Sequence, residues 1–385
     1  VSVVPRVGIT WRRERIVDLA RDFLESHGAE KRAEVRIASP DPEASPFRPS
    51  RAGEAEYRTL ADRWRASLAD LAVCSRRGLV ERFDGSIGRA SVFFPYGGRH
   101  QGTPQPVMAA RLPVADGETD FATLMSHGFL PPLSRWSPFH GAVYAVVLAL
   151  ARLVAAGGDP RRARLTLQEY FGRPGADPLR WGDPLAALLG AFTAQLALEV
   201  PAIGGKDSMS GTFQELSVPP TLVAFAVGTG DARRFVSAEF KRAGEPVVWL
   251  PLPRDSQEMP RWPVLRQTLA TLYRLAGAGQ LTAALAVDLA GIGPALARMA
   301  FGNRIGLRFV TGFDAESLFA PAPGGLLVTL PAGADPAVLL AGLPWQLLGV
   351  TQVEPVFRLC GEDVPLDPLR MAWEAPLARV FPTRP

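Results

Sequence analysis

The run IGGKDSMSG, residues 203–211, carries the residue types best suited to chemistry in this sequence. Gly204 and Gly205 can let successive backbone N–H groups turn inward and form a concavity that binds anions. Lys206 adds a mobile positive charge to that concavity, and Ser208 adds a hydroxyl donor. Together these residues predict a loop that can hold a phosphate group.

Asp207, in the middle of the same run, has two possible roles. Its oxygens could bind Mg²⁺, because hard cations prefer oxygen ligands, or they could orient the ammonium group of Lys206. The spacing of the run matches neither GxxxxGK[ST] nor GxGxxG, two common phosphate-binding patterns. A glycine-rich turn from helix to strand, with a surface ion pair, is therefore the alternative to the phosphate interpretation.

Composition limits the classes of protein that this sequence can represent. The 385 residues are 47% hydrophobic, which is enough for two domains with buried cores. The formal net charge is only +4 and the arginines are scattered, so no nucleic-acid partner is predicted. Cys74 and Cys360 lie far apart without metal-binding or disulfide spacing, which favours a reducing, cytoplasmic location.

The longest apolar run, GAVYAVVLALA from Gly141, predicts a buried helix and not a membrane span. It meets Arg152 well before the roughly 18 to 20 apolar residues that a span requires. The first residues also lack the basic-then-apolar order of a signal peptide. No membrane partner is therefore predicted.

The beginning of the chain is predicted to be an appendage on the main body. Residues 6–11, RVGITW, have the composition of a strand, and residues 15–26, RIVDLARDFLES, predict an amphipathic helix. Residues 38–56 are rich in Pro, Ser, Ala and charge and are predicted to form a linker. Residues 90–98, ASVFFPYGG, predict a strand that ends in a turn.

Two long apolar segments predict buried helices ahead of the glycine-rich run. The first has Ser137 as its N-cap and Pro138 at its first position, and it stops at Gly157. The second begins with Asp183 and Pro184 and leads directly into the glycine-rich loop. Strands are predicted between the two helices, at RARLTLQEYF, and after the loop, at PPTLVAFAVG.

From about Phe235 onward, the pattern changes to shorter alternating strands and helices. The predicted fold is therefore α/β (α+β) with a domain break near residue 233. Residues 1–50 would be the appendage and linker, residues 51–232 a sheet-and-helix domain that carries the glycine-rich loop, and residues 233–385 a second α/β domain.

Several segments resemble one enzyme family, in the order expected for it. They are CSRRGLVERFDGSIG, PYGGRHQGTP, LPVADGETD, WSPFHGAVYAVV, LVAAGGD, LQEYFGRPGADPLRWGDPLAALLGA, PAIGGKDSMSGTF and MAFGNRIG. They resemble phosphoribosylformylglycinamidine synthase, an ATP- and glutamine-dependent family of purine biosynthesis, in its large single-chain form. The resemblance covers nearly the whole chain.

This resemblance implies both a fold and a set of partners. The fold would be a two-domain half similar to aminoimidazole ribonucleotide synthetase, and this chain resembles the second such half of the synthetase region. The first half would supply the histidine implicated in the chemistry, and a glutaminase would supply the cysteine nucleophile. Both would be partners of this chain, so no catalytic residue is assigned to it, and both of its cysteines are expected to be structural.

The resemblance also implies roles for the glycine-rich run. Gly204 and Gly205 would contact ATP through their backbones, and Lys206 would neutralise phosphate charge. Ser208 would bind the ribonucleotide substrate, while Asp207 would be either a Mg²⁺ ligand or a partner of the lysine. The implied reaction activates an amide oxygen with ATP and then displaces phosphate with ammonia, so that ATP and Mg²⁺ are the expected cofactors.

Other polar residues favour structural interpretations. Glu118 and Asp120 fit a solvated turn better than a metal site, and His140, in the first turn of a buried helix, fits a capping role better than a catalytic one. Gln168 and Glu169 are compatible with an interdomain hydrogen bond or a strand edge.

Two positions depart from the family pattern. Relatives commonly place a carboxylate where Leu148 stands, and the expected Gly-Gly pair is altered at Ala290 and Gly291. These departures predict that this half has lost part of its own nucleotide binding. A non-catalytic half that docks its partners is the second hypothesis, and a stand-alone relative of aminoimidazole ribonucleotide synthetase is the third.

Overall fold

Two β-sheets with a long buried helix between them form the body of the protein. The computed structural model describes residues 6–11, 15–20, 34–48, 57–86 and 88–383, the first two of these segments by their backbone alone. The predicted mixed α/β fold is confirmed. The strands are β1 (Arg6–Trp11), β2 (Arg15–Ala20), β3 (Tyr96–Gly97), β4 (Thr103–Pro104), β5 (Val107–Arg111), β6 (Phe121–Gly128), β7 (Arg164–Tyr170), β8 (Ala202–Lys206), β9 (Thr212–Phe213), β10 (Leu216–Ser217), β11 (Thr221–Asp231), β12 (Pro246–Leu250), β13 (Ala283–Ala286), β14 (Gly306–Phe309), β15 (Leu326–Thr329), β16 (Gln346–Gln352), β17 (Val356–Leu359) and β18 (Glu362–Pro365).

The described helices are α1 (Leu60–Ala69), α2 (Arg77–Val80), α3 (Pro131–Trp136), α4 (Pro138–Ala155), α5 (Pro178–Leu198), α6 (Trp262–Gly277), α7 (Ile292–Phe301), α8 (Pro336–Leu339) and α9 (Leu366–Glu374). The two longest of the described helices, α4 and α5, both lie before residue 200.

The first sheet has five strands in the order β5-β6-β11-β7-β8, and only β7 and β8 run parallel. Side chains alternate along a strand, so the sheet has two different faces. The inner face packs on α4 through residues such as Leu124 and Ala226. The opposite, outer face carries Met108 and Met125, which lie directly across from each other in the register of β5 and β6. These two apolar side chains are 46% and 40% exposed.

Helix α4 is the central buried helix, as predicted. The side chain of Ser137 caps it by accepting the backbone N–H of His140, and Gly157 ends it with a φ of +97°. A Cβ atom on Gly128 would lie 2.0 Å from the Ala145 carbonyl oxygen, so β6 approaches α4 closely only because position 128 is glycine. Of the described helices, α4 alone is long and apolar enough to cross a membrane, and 78% of it is buried inside the protein.

Helix α5 differs from its prediction in where it begins and in how deeply it is buried. It starts at Pro178 behind the N-cap Asp177, so the predicted start at Asp183 is wrong, and Pro184 lies inside the helix. Pro184 is the seventh residue of the helix, past its first turn, so it removes the one intrahelical donor that would reach the Arg180 carbonyl oxygen. One face of α5 is exposed although it is apolar; it includes Phe192, which is 55% exposed.

The second sheet has seven strands in the order β13-β15-β12-β16-β14-β17-β18. One face packs toward α4, and the other covers a second core formed with α1, α7 and α9. In that core the Trp64 and Phe357 rings stack with their centres 4.8 Å apart. Trp64 comes from α1, so residues N-terminal to the first sheet pack on the second one, a contact that the sequence pattern did not predict.

The described part of the N-terminal appendage is a hairpin. Strands β1 and β2 pair antiparallel, with Arg6 opposite Ala20 and Trp11 opposite Arg15. The helix predicted over residues 15–26 is therefore wrong for Arg15–Ala20, and the rest of that prediction lies outside the described residues. The β-branched pair Ile16 and Val17 favours extended backbone once a neighbouring strand is available. The strand predicted over residues 90–98 is reduced to β3, which holds only its Tyr96 and Gly97.

Part of the predicted linker is anchored to the core. Residues Pro42–Ala44 form a short 3₁₀ helix, and Phe47, only 4% exposed, packs its ring 4.9 Å from that of Tyr144. The guanidinium group of Arg254 lies 4.4 Å from the centre of the Phe47 ring. This segment therefore packs the residues before α1 against the N-terminal half of α4.

Substitution of Phe47 by alanine should lower the free energy of unfolding by about 3 kcal/mol, because it removes a buried aromatic ring. Chemical denaturation monitored by circular dichroism measures this loss. Phe83→Ala is the matched control, since Phe83 is 72% exposed and its removal should change stability by less than about 0.5 kcal/mol. Equal effects of the two substitutions would show that the Phe47 segment is not anchored.

Glu245, immediately before β12, is a buried carboxylate with an incompletely satisfied side chain. It is 2% exposed, and its Oε2 atom has no hydrogen-bond partner. Burial raises the pKa of this carboxyl group. The folded state therefore binds the proton more tightly than the unfolded state, and the associated stability is present at acidic pH and lost as the pH rises through the folded-state pKa.

Glu245→Gln, which mimics the protonated side chain, should stabilise the protein by about 1 kcal/mol at neutral pH, because it removes a buried charge. The advantage should disappear when the pH is lowered below the ordinary pKa of glutamate. Thermal melts of both proteins across this pH range measure the difference. Glu362→Gln, at an exposed position, is the control and should show no such trend.

The predicted domain boundary at residue 233 falls between β11 and β12, the strands that end the first sheet and begin the second. Both cysteines are free thiols: Cys74 is buried, and Cys360 is exposed in the turn between β17 and β18.

Candidate nucleotide-binding site

The first part of the glycine-rich run is a strand and not a loop. Residues Ala202–Lys206 form β8, the edge strand of the first sheet, with Gly205 aligned to Leu167 and Lys206 aligned to Gln168 of β7. A Cβ atom on Gly205 would lie 2.3 Å from the Leu167 carbonyl oxygen, so this pairing requires glycine at position 205. The bend into a loop comes only at Asp207.

Four of the five predicted site residues line one cavity of about 540 Å³, called here the Lys206 cavity. It opens between α5 and the edge of the sheet formed by β7 and β8. Its walls are formed by Val35, Leu167, Glu169, Trp181, Pro184, Leu185, Leu188, Gly204, Gly205, Lys206, Asp207 and Met209. The structure thus brings Gly204, Gly205, Lys206 and Asp207 together, as the sequence predicted.

Ser208, the fifth predicted residue, lies beside this cavity but not in its wall. Its carbonyl oxygen accepts the backbone N–H of Phe171 at 2.8 Å, which holds the loop against the end of β7. Its hydroxyl lies 3.3 Å from that of Ser210. The two hydroxyls therefore form a separate polar group at the entrance to the loop.

Lys206 is an exposed cation whose contact is with an aromatic ring. Its Nζ atom lies 4.7 Å from the centre of the Tyr170 ring. Among the described residues no carboxylate lies within 4.0 Å of Nζ, so Asp207 is not its ion-pair partner. A cation–π contact at the surface leaves the ammonium donors available to an incoming anion.

Glu169 is the second carboxylate of the Lys206 cavity. Burial raises the pKa of Glu169, and the negative charge of Asp207 raises it further. The two carboxylates are therefore close enough to interact electrostatically, with Glu169 partly buried and Asp207 exposed. Two carboxylates are a common protein contribution to a Mg²⁺ site, where phosphate and water oxygens complete the coordination.

The opposite wall of the cavity is apolar. Trp181, Pro184 and Leu188 project from the first half of α5, and Met209 closes the loop side. A cavity with one polar edge and one apolar wall suits a ligand that has a charged end and a flat or apolar end.

Sequence reasoning missed Trp181 and undervalued Glu169 as site residues. Glu169 has the same parity in β7 as Leu165 and Leu167, which face the core. A carboxylate at an inward-facing strand position is a signal that could have found it. Trp181 had no such signal, because the predicted helix began after it.

The remaining polar candidates occupy structural positions. Arg111 makes ion-pair contacts with Glu118 at 3.5 Å and with Asp120 at 3.3 Å on the surface. His140 lies 2.8 Å from the Ser137 hydroxyl and 2.9 Å from the Gln257 carbonyl oxygen. Burial lowers the pKa of His140, in agreement with a neutral capping residue.

The two departures from the family pattern are also visible. Leu148 is 1% exposed in the core of α4, where it offers no metal ligand. Gly291 has a φ of +85° at the start of α7, and the Ala290 backbone N–H is bound by the Asp288 carboxylate at 3.0 Å.

Curated proteins that are similar to this chain in sequence carry the same name. Phosphoribosylformylglycinamidine synthase subunit PurL of Thermus thermophilus is 26% identical over 400 residues, which cover 97% of this chain and 52% of the relative. PurL of a Nocardioides species is 26% identical over 405 residues, covering 98% of this chain and 51% of the relative. The chain is PurL-like. No family model matches it.

Solved structures of PurL share its fold. Thermotoga maritima PurL complexed with ATP superimposes with a TM-score of 0.55 at 17% identity, covering 91% of this chain and 49% of PurL. The same protein complexed with FGAR gives a TM-score of 0.60 at 13% identity over 83% of this chain and 55% of PurL. The chain spans about half the length of these PurL proteins, and the curated relatives are named as subunits.

Proposed function

We propose that this chain is the second synthetase half of phosphoribosylformylglycinamidine synthase. In the complete assembly it would take part in the ATP-dependent amidation of formylglycinamide ribonucleotide to formylglycinamidine ribonucleotide, with ammonia derived from glutamine. The observation that carries this proposal is the grouping of Gly204, Gly205, Lys206 and Asp207 in one cavity, in a chain that aligns with PurL along almost its whole length.

Phosphoryl chemistry suits the parts found in the Lys206 cavity. Amide activation by ATP requires mainly that the reacting groups are positioned and that phosphate charge is neutralised. Lys206 would neutralise that charge, and the glycines at 204 and 205 would let the phosphates approach the backbone. The apolar wall at Trp181 and Leu188 would hold the flat part of the nucleotide.

Mg²⁺ fits the two carboxylates of the cavity. Glu169 and Asp207 would hold it, and it would offset the negative charge of the nucleotide phosphates. Burial and the charge of Asp207 raise the pKa of Glu169, and a cation between the two carboxylates would offset their repulsion and favour the ionised form of Glu169. Ser208, outside the cavity wall, would donate its hydroxyl to the ribonucleotide substrate from the loop side.

The outer face of the first sheet supports a docked partner. Met108 and Met125 form an exposed apolar pair there, and Val223 and Val227 of β11 lie on the same face. Exposed apolar surface of this kind marks an interaction site. We place the first synthetase half on this face, with a glutaminase as the ammonia source, and the whole assembly in the cytoplasm.

The test begins with the transcript that carries these 385 codons, sequenced well beyond both ends. The complete synthetase assembly found in this way is then assayed for formylglycinamidine ribonucleotide, with ATP and either glutamine or ammonium chloride. We expect product from the assembly and none from the 385-residue chain alone, because half of the composite site is missing from it. Product from the isolated chain, or none from the assembly with ammonium, would contradict the proposal.

A non-catalytic docking half is the second candidate function. The buried Leu148 favours it, because leucine supplies no metal ligand at a position where the family resemblance implies a carboxylate. Equilibrium dialysis of Mg²⁺-ATP against the wild-type chain and its Lys206→Ala variant separates the two. Binding that Lys206→Ala weakens supports the catalytic half, whereas the absence of any Lys206-dependent binding favours the docking half.

A further inference from the structure

A second cavity, about 630 Å³ in volume, lies at the opposite end of α4 from His140. It is called here the Arg234 cavity. It opens where the end of α4, the end of β11 and the last turns of α6 meet, and its charged and aromatic lining consists of Arg161, Asp231, Arg234, Tyr273 and Arg274. It shares no lining residue with the Lys206 cavity.

Ion pairs within the protein leave arginine side chains of this cavity without a carboxylate partner. Among the described residues, no carboxylate lies within 4.0 Å of Arg234 or Arg274. Asp231 is bound instead to Arg233, at 2.6 Å between Nη2 and Oδ2. Arg161 is 81% exposed, and its Nε and Nη2 atoms contact the Asp159 carboxylate at 3.4 and 3.5 Å. The cavity therefore carries a concentrated positive charge.

Helix capping does not account for these arginines. Arginines at helix C-termini often stabilise the free carbonyl groups there. At the end of α4, however, the Val154 and Leu153 carbonyl oxygens accept the backbone N–H groups of Gly157 and Gly158.

The carbonyl groups at the end of α6 also have backbone hydrogen-bond partners. The carbonyl oxygens of Arg274, Leu275 and Ala276 accept backbone N–H groups from the three residues that follow the helix. Among the described residues, neither Arg234 nor Arg274 donates a side-chain hydrogen bond to these helix ends. The donors of these two guanidinium groups remain available to a ligand.

The walls also leave room for a ligand close to the arginines. Gly277 is at the end of α6, and a Cβ atom there would lie 3.8 Å from Nη1 of Arg234. Any larger side chain at this position would enter the space beside that guanidinium group. Tyr273 adds an aromatic surface within the same wall.

We propose that the Arg234 cavity binds a phosphorylated small molecule of the nucleoside-diphosphate class. Arginine is suited to this role because its planar fork of donors matches phosphate oxygens. The volume lies in the range of small-molecule sites. Two guanidinium groups would bind the phosphates, and Tyr273 would contact the base. This site is independent of the function proposed for the Lys206 cavity.

The experiment uses isothermal titration of ADP and of inorganic pyrophosphate into the full chain carrying Lys206→Ala, which disables the other cavity. We expect one site, weakened at least tenfold by Arg234→Ala and by Arg274→Ala. Arg308→Ala is the matched control, because Arg308 is exposed in β14 and pairs with no carboxylate in the described part of the chain; it should bind like the parent. Gly277→Phe should also weaken binding while it keeps every charge.

The outcomes separate the parts of the proposal. Tighter binding of ADP than of pyrophosphate would support a nucleotide that uses Tyr273, whereas equal binding would remove the base from the proposal and overturn the nucleoside assignment. No binding of either probe, or binding that Arg308→Ala weakens as much as Arg234→Ala, would overturn the site. Loss of activity in Lys206→Ala alone concerns the other cavity and leaves this result unaffected.

Discussion

Lys206→Ala should lower the ATP- and ammonia-dependent turnover of the complete synthetase assembly by roughly 100-fold, the usual effect of removing one preorganised group that stabilises charge in a transition state. Lys206 is exposed, and its recorded contact is with the Tyr170 ring, so its removal should leave the fold intact. Steady-state kinetics with varied ATP measures the effect, and circular dichroism measures the fold. A change in kcat larger than the change in KM would place the lysine in transition-state stabilisation.

Two further variants make this result specific. Lys206→Arg keeps the positive charge and should recover part of the lost turnover. Arg308→Ala removes one exposed positive charge from the second sheet and should leave turnover within about twofold of the parent. Unchanged turnover in Lys206→Ala would refute the assignment of the Lys206 cavity, whatever the other variants show.

The parts of the fold that could be predicted from the sequence are those in which local signals and burial agree. Helix α4 has a capping serine, a proline at its first position, an apolar interior and a terminal glycine, and all four signals mark the same segment. Strand β11 likewise combines β-branched residues with burial on one face.

The predictions from sequence were wrong where tertiary contacts outweigh the local pattern of residue types. Arg15–Ala20 has a helical pattern but pairs with β1, and Phe47 lies in a proline-rich segment but is buried against α4. Local composition cannot report a partner that is distant in sequence. The start of α5 was misplaced because two Asp-Pro pairs, at residues 177–178 and 183–184, are both valid helix starts by local rules.

The candidate site, like the fold, could be predicted from the sequence only in part. The residue types of the glycine-rich run identified four cavity residues without any structure, because glycine, lysine and aspartate are rarely grouped for packing reasons alone. The apolar wall and Glu169 come from α5 and β7, which precede the run in sequence and meet it only through the parallel pairing of β7 with β8. That pairing follows from the topology of the sheet and not from any local pattern.

Met125→Asp should prevent the chain from assembling with the first synthetase half and should thereby abolish most of the turnover of the assembly. Met125 is 40% exposed and lies opposite Met108 and Val227 on the outer face of the first sheet. A carboxylate there would be buried without a partner in the docked state, at a cost of about 2 to 5 kcal/mol, which weakens association by roughly 30-fold or more. Analytical ultracentrifugation of the two halves measures the association.

The isolated chain should tolerate this substitution, because in the free protein the carboxylate remains in contact with water, and surface substitutions usually change stability by less than about 0.5 kcal/mol. Met371→Asp is the matched control: Met371 is 71% exposed on α9, on the side of the second sheet. It should assemble like the parent protein. If Met125→Asp also assembles normally, the outer face is not the docking surface, and the exposed apolar face of α5 becomes the next surface to test.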